Sequence, residues 1–297
     1  MYDRFAFEQG GHFFCKKEGE NLNQNWIVEN LNNAFSTWNG KLGELWGLVT
    51  TGPQTFKGGT VWSVMQTLHN GMVGIGYALV VLFFAISLCK NTMNFHELKR
   101  PEAAIHYLIR FVAAKALVGY GMDIMLNVFS ICNGIVTDMA NSMGGISEAM
   151  VSLPAEMQTA IENVGFLASI PLWLVTILGS LFITVLSFVM ILTVYGRFFR
   201  LYMYTALAPL PLAAFAGEST QSVGISFLKS YVGVCLEGAV IVLACVIYSA
   251  FVSTPTVTSG EATTIVWSYL AETVFNMLVL VGLIKGSDRI IHEMMGL

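Results

Sequence analysis

GMVGIGYALVVLFFAISLC, residues Gly71 to Cys89, runs for nineteen residues without a charged side chain. At about 1.5 Å per helical residue it reaches across a hydrocarbon layer about 30 Å thick. Lipid offers no hydrogen bonds to an open backbone, so the stretch reads as a membrane-spanning helix.

Composition agrees with that reading. Hydrophobic residues make up 55% of the 297 and charged residues only 11%, against roughly 25% charged in a soluble globular domain. A net charge of −4 gives no global footprint for nucleic acid or anionic lipid.

Downstream of Cys89 the loop KNTMNFHELKRPE is short and basic, and Pro101 can open the next helix at its first turn. Lys99 and Arg100 there read as cytoplasmic anchors. A second apolar segment, 103–136, carries Arg110, Lys115 and Asp123. Its exit loop holds four acids and no Lys or Arg, which places it outside. The third run, 164–195, ends at Arg197 and Arg200, two more expected cytoplasmic anchors whose long stems can snorkel.

TALAPLPLAAFAGEST follows. Pro209 and Pro211 each remove a backbone donor and disfavour helix before them, so 201–217, closing at Gly217, reads as a structural break. A re-entrant hairpin and a kinked span both fit it. Further spans are expected at 223–252 and 265–284. The Lys and Arg bias then puts the N-terminus outside and the C-terminus in the cytoplasm, with Lys16, Lys17, Lys41 and Lys57 running against the rule. The predicted fold class is all-α: a polytopic transmembrane protein of about five spans plus the Pro-rich hairpin.

Residues 1–70 are more polar and form an expected extracytoplasmic or interfacial segment, with 71–297 the transmembrane domain. Ile27, Leu31, Phe35, Trp38, Leu42, Leu45 and Trp46 recur at steps of three and four, the mark of an amphipathic helix. It fits the headgroup level, a partner surface, or a small hairpin packed on a helix at 61–70. No cleavable signal peptide is expected, because the first long apolar run comes so late.

Catalysis has no visible constellation. The five histidines are scattered, and HExxH, GxSxG and the GxxxxGK[ST] phosphate loop are absent. Cys15, Cys89, Cys132, Cys235 and Cys245 form no CxxC pair, and four of them lie in apolar runs as small hydrophobes. No enzyme activity and no cofactor are expected; phospholipid is the bound molecule that such spans invite.

Lys115, Asp123, Lys229, Glu237 and Glu272 carry the information, because each is ionisable inside an apolar segment. A charge at a helix centre costs about 2.5–3.5 kcal/mol on insertion scales, so each needs a partner or water. Lys115, Gly119, Asp123 and Asn127 recur every four residues, as do Lys229, Gly233 and Glu237. Cross pairs Lys115 with Glu237 or Asp123 with Lys229 follow from that spacing. Such pairs either glue helices together or line an aqueous path.

Over YGRFFRLYMYTALAPLPLAAFAGESTQSVGISFLKSYVGVCLEGAVIV and IRFVAAKALVGYGMDIMLNVFSICNGIV the chain resembles the TrbL-type polytopic subunits of conjugative type IV secretion machines, in the versions carried on Gram-positive integrative elements. The resemblance implies a channel component in the bacterial inner or cytoplasmic membrane. It implies a homo-oligomer joined to other secretion subunits, moving DNA or protein, with transient contact to single-stranded DNA. A secondary transporter or permease for a small solute is the alternative, though the two halves show no inverted repeat. A scaffold or receptor working through residues 1–70 needs fewer spans than these.

Overall fold

A computed structural model describes residues 6–92, 101–142, 150–162, 164, 166–251 and 262–296. Among them every regular element is helical: α1 Ala6–Thr50, a 3₁₀ turn Phe56–Gly59, α2 Thr60–Thr92, α3 Pro101–Gly119, α4 Gly121–Ser142 and α5 Ala155–Glu162 come first. After them come α6 Phe166–Leu207, α7 Pro209–Ala213, a 3₁₀ turn Ala214–Ala216, α8 Gln221–Phe251 and α9 Ala262–Met295. Four of these helices are long and apolar enough to cross a membrane, and α3 with α4 supplies a fifth crossing if that bent pair counts as one span. Large apolar side chains stand exposed along them, such as Ile109 and Val112 on α3 and Phe182 and Leu192 on α6, as a lipid-facing surface requires.

The expected spans shift in four places. The helix that carries Gly71 to Cys89, α2, starts at Thr60, so residue 70 falls inside it. Segment 103–136 is not one rod: it breaks at Tyr120 and bends by 72°. Leu201 to Leu207 continue α6 as regular helix, and the break comes only at Ala208. The last helix runs on to Met295, well past 284, taking KGSDRIIHEMM with it.

The chain divides into two compact units. One comprises Met1–Trp46, Gly145–Leu192 and Ala244–Ile284. In it the α1 stripe is core: Ile27, Leu31, Phe35, Trp38, Leu42 and Leu45 are all buried. Trp26 meets Trp173 of α6 at 5.6 Å, and Phe35 meets Tyr269 of α9 edge-on at 6.5 Å. Asn39 donates to Val151 O (2.7 Å) and accepts from Val151 N (2.9 Å), tying α1 to the strap before α5. The apolar stripe of the amphipathic helix therefore packs inside its own unit, where α6 and α9 supply the apolar surface it needs.

The second unit comprises Gly47–Gly144, Thr193–Leu243 and Lys285–Leu297. Lys57, Gly58 and Gly59 turn the chain from α1 into α2 with φ of 50°, 71° and 77°, and Phe56 stacks on Phe198 at 4.1 Å. The Pro-rich elbow of α7 and its 3₁₀ turn packs on α2 and α3. Pro209, Leu212, Ala213, Ala214 and Ala216 are buried there. Irregular backbone survives at this depth because protein satisfies it: Thr220 Oγ1 donates to Ala214 O (2.7 Å) and Leu212 N to Ala208 O (3.1 Å). Gly76 of α2 admits the elbow, since a Cβ there would stand 2.9 Å from Pro209 O and 2.9 Å from a Val118 methyl.

Candidate functional site

The helical period of α6 carries its buried face straight through a charge. Ile183, Ser187, Met190, Val194, Arg197, Leu201 and Thr205 follow at steps of three and four, and each is buried. Arg197 is 0% exposed, so its guanidinium must find acceptors in place of water. Nε donates to Val234 O (3.2 Å), Nη2 to Cys235 O (3.1 Å) and Nη1 to Val49 O (3.4 Å), while the group lies over the Phe129 ring at 5.9 Å. The planar fork suits this spread of carbonyls on two helices. Gly238 makes room for it: a Cβ there would sit 2.8 Å from Nη1. Arg197 is thus no surface anchor, contrary to the snorkelling expected of it.

The same contact ends α1. A helix leaves its last four carbonyls without intrahelical donors, and here all four are met. Thr51 Oγ1 reaches Gly47 O (2.7 Å), Thr51 N reaches Leu48 O (3.1 Å), Arg197 takes Val49 O, and Asn133 Nδ2 takes Thr50 O (3.2 Å). A cation at this end also opposes the negative pole of the helix.

One turn further along α6, Arg200 faces α8 and α9. Its Nη2 lies 2.7 Å from both Glu237 oxygens and its Nη1 lies 2.6 Å from Asp288 Oδ1. Ser287 Oγ donates to Glu237 Oε1 at 3.2 Å. Glu237 is 1% exposed and Arg200 29%. Two guanidinium groups against two carboxylates leave this cluster electrically balanced. The pairing expected between Lys115 and Glu237 is therefore replaced by Arg200 with Glu237, because α6 and not α3 presents the cation to α8.

Lys115, Asp123, Lys229 and Glu272 are exposed, and none carries a side-chain hydrogen bond or ion pair among the described residues. The stripe of Lys115, Gly119, Asp123 and Asn127 does not share one face, since the bend at Tyr120 divides it. Asp123 instead lines an open cleft of about 520 Å³ with Gln54, Asn127, Ser130 and Asn133. The pair Asp123 with Lys229 does not form within the chain. Lys99 and Arg100 lie outside the described residues.

Ser287, Asp288 and Asn133 escaped the sequence reading. The first two lie beyond the expected span 265–284, yet Ile284, Ser287 and Ile291 continue the buried period of α9 and place them on it. His69 is another omission: it is 1% exposed in α2, with Nδ1 2.7 Å from Thr205 O. Cys132, Cys235 and Cys245 are free and buried, while Cys89 is exposed. No group of three or more His, Cys, Asp or Glu among the described residues could hold a metal ion. Chemically, the arrangement fastens three long helices through charge and leaves other charges facing outward.

One family model, described as TrbL/VirB6 plasmid conjugal transfer like protein, matches residues 38–209, more than half of the chain. No curated protein and no solved structure matches it.

Proposed function

Because the chain belongs to the TrbL/VirB6 plasmid conjugal transfer-like family, we propose that it is a channel component of a conjugative type IV secretion machine, working as a homo-oligomer in the inner or cytoplasmic membrane. Its N-terminus lies outside and its C-terminus in the cytoplasm. The cargo is DNA or protein, single-stranded DNA touches it only in transit, and phospholipid fills the gaps between copies. Its role is structural and conductive, with no chemical step of its own.

One observation carries the reading. Lys115, Asp123 and Lys229 stand exposed and without a partner among the described residues, Lys229 on the apolar helix α8 and the other two on the bent pair α3 and α4. Charges in that position face other subunits or water, because acyl chains solvate them poorly. A lone protomer leaves them stranded; an assembly around an aqueous path does not.

Mild detergent extraction of a tagged chain from cells carrying the conjugative element tests this. The expected result is a mass several times the 32.5 kDa protomer, with other secretion subunits in the same fraction. A monomer free of such subunits, binding a small solute instead, would support a permease and overturn the proposal.

A further inference from the structure

Two exposed stripes on the second unit have the same spacing and opposite charge. On α4, Asp123, Asn127 and Ser130 fall at i, i+4 and i+7; on α8, Ser222, Ser226 and Lys229 do the same. All six are exposed; α8 is long and apolar enough to cross a membrane, and α4 is the second half of the bent pair with α3. The Arg197, Arg200, Glu237 and Asp288 cluster is balanced, so no charge from it is left over for Asp123. Neither Asp123 nor Lys229 has a partner among the described residues.

Their depth also agrees. Tyr231 of α8 donates to Met125 O of α4 at 2.8 Å on the buried side. Lys229 and Asp123 each lie two residues, about 3 Å of helical rise, from a residue of that bond. A ring assembled by rotation about the membrane normal keeps every residue at its own depth. Lys229 of one copy thereby comes close to the level of Asp123 of the next. Resting on the homo-oligomer reading above, we infer that Lys229 of each copy enters the Asp123 cleft of its neighbour, and that the two polar stripes form the subunit contact. The contact is head-to-tail, since around the ring Lys229 of each copy meets Asp123 of the next.

The charges allow a test that separates pairing between copies from pairing within one. Asp123→Lys carries two lysines and Lys229→Asp two aspartates. Expressed alone, each should lose the oligomer, with at least a tenfold drop in co-purification of a differently tagged copy of itself. Expressed together, the two variants should co-purify again, because every contact between unlike copies then joins Lys to Asp. The double variant Asp123→Lys, Lys229→Asp should also assemble by itself.

Rescue by the double variant without rescue by mixing would place the pair inside one chain and overturn the inference. So would assembly of either single variant at the wild-type level, or failure of both rescues. Each of those outcomes leaves a wild-type oligomer standing. A wild-type chain that never co-purifies with its own tagged copy would remove the homo-oligomer reading itself.

Discussion

Arg200 holds both oxygens of Glu237 from a single nitrogen at 2.7 Å, joining α6 to α8 where Glu237 is cut off from solvent. Its other terminal nitrogen takes Asp288 on α9 at 2.6 Å. One side chain thus ties three membrane-spanning helices, and its loss strands a buried carboxylate.

Glu237→Ala is expected to destabilise the detergent-solubilised protein by about 3 kcal/mol. That is the low end for breaking a buried pair, because Arg200 keeps some solvent. Thermal unfolding of the two proteins side by side reads the difference. As a contrast, Arg289 and Glu293 pair at 2.8 Å while 85% and 65% exposed. Arg289→Ala should shift stability by less than about 0.5 kcal/mol.

Arg197→Lys keeps the charge but loses the fork. An ammonium on a shorter reach cannot serve Val234 O, Cys235 O and Val49 O together. A loss of about 3 kcal/mol is expected, larger than that from Arg200→Lys. Equal melting temperatures for these two lysine variants would refute the ranking.

Gly238→Ala sets a helix gain against a clash. Alanine is worth about 0.5–1 kcal/mol over glycine within a helix, yet here its methyl meets a guanidinium fixed by three carbonyls. Net destabilisation is expected. Gly43→Ala, in α1 with nothing near its Cβ position, should be neutral or stabilising under the same measurement.

Gly76→Val tests the elbow. The first added carbon already stands 2.9 Å from Pro209 O, and a branched side chain adds more. The variant should open the contact of α2 with α7, seen as faster protease cleavage between Leu207 and Gln221. Unchanged cleavage would mean that the close approach has no energetic consequence.

Much of the fold was legible because its signals are local. Nineteen uncharged residues from Gly71, the Pro209 and Pro211 break, and the step of three and four from Ile27 to Leu45 each act within a few turns. Side-chain partners were not legible. Arg197 at the end of an apolar run looks the same whether it snorkels or is buried, and only its register with Val194 and Leu201 distinguishes the two. Gly119 and Gly121 flank Tyr120 and weaken the helix there, a signal that the four-residue stripe through Lys115 and Asp123 outweighed in the reading. Glu237 was found as a buried charge, but its partner lay thirty-seven residues away on α6, a distance that spacing within one helix cannot reach.

Conjugative transfer is the readout closest to the whole account. Donor cells lacking this chain can be supplied with wild type, with Glu237→Lys, or with Glu29→Lys at an exposed position of α1, and the transfer frequency counted in matings. Transfer should fall at least about a hundredfold without the chain and with Glu237→Lys, which sets a third cation beside Arg197 and Arg200, and should return in full with wild type and Glu29→Lys. Wild-type transfer from donors lacking the chain would contradict the account at its root.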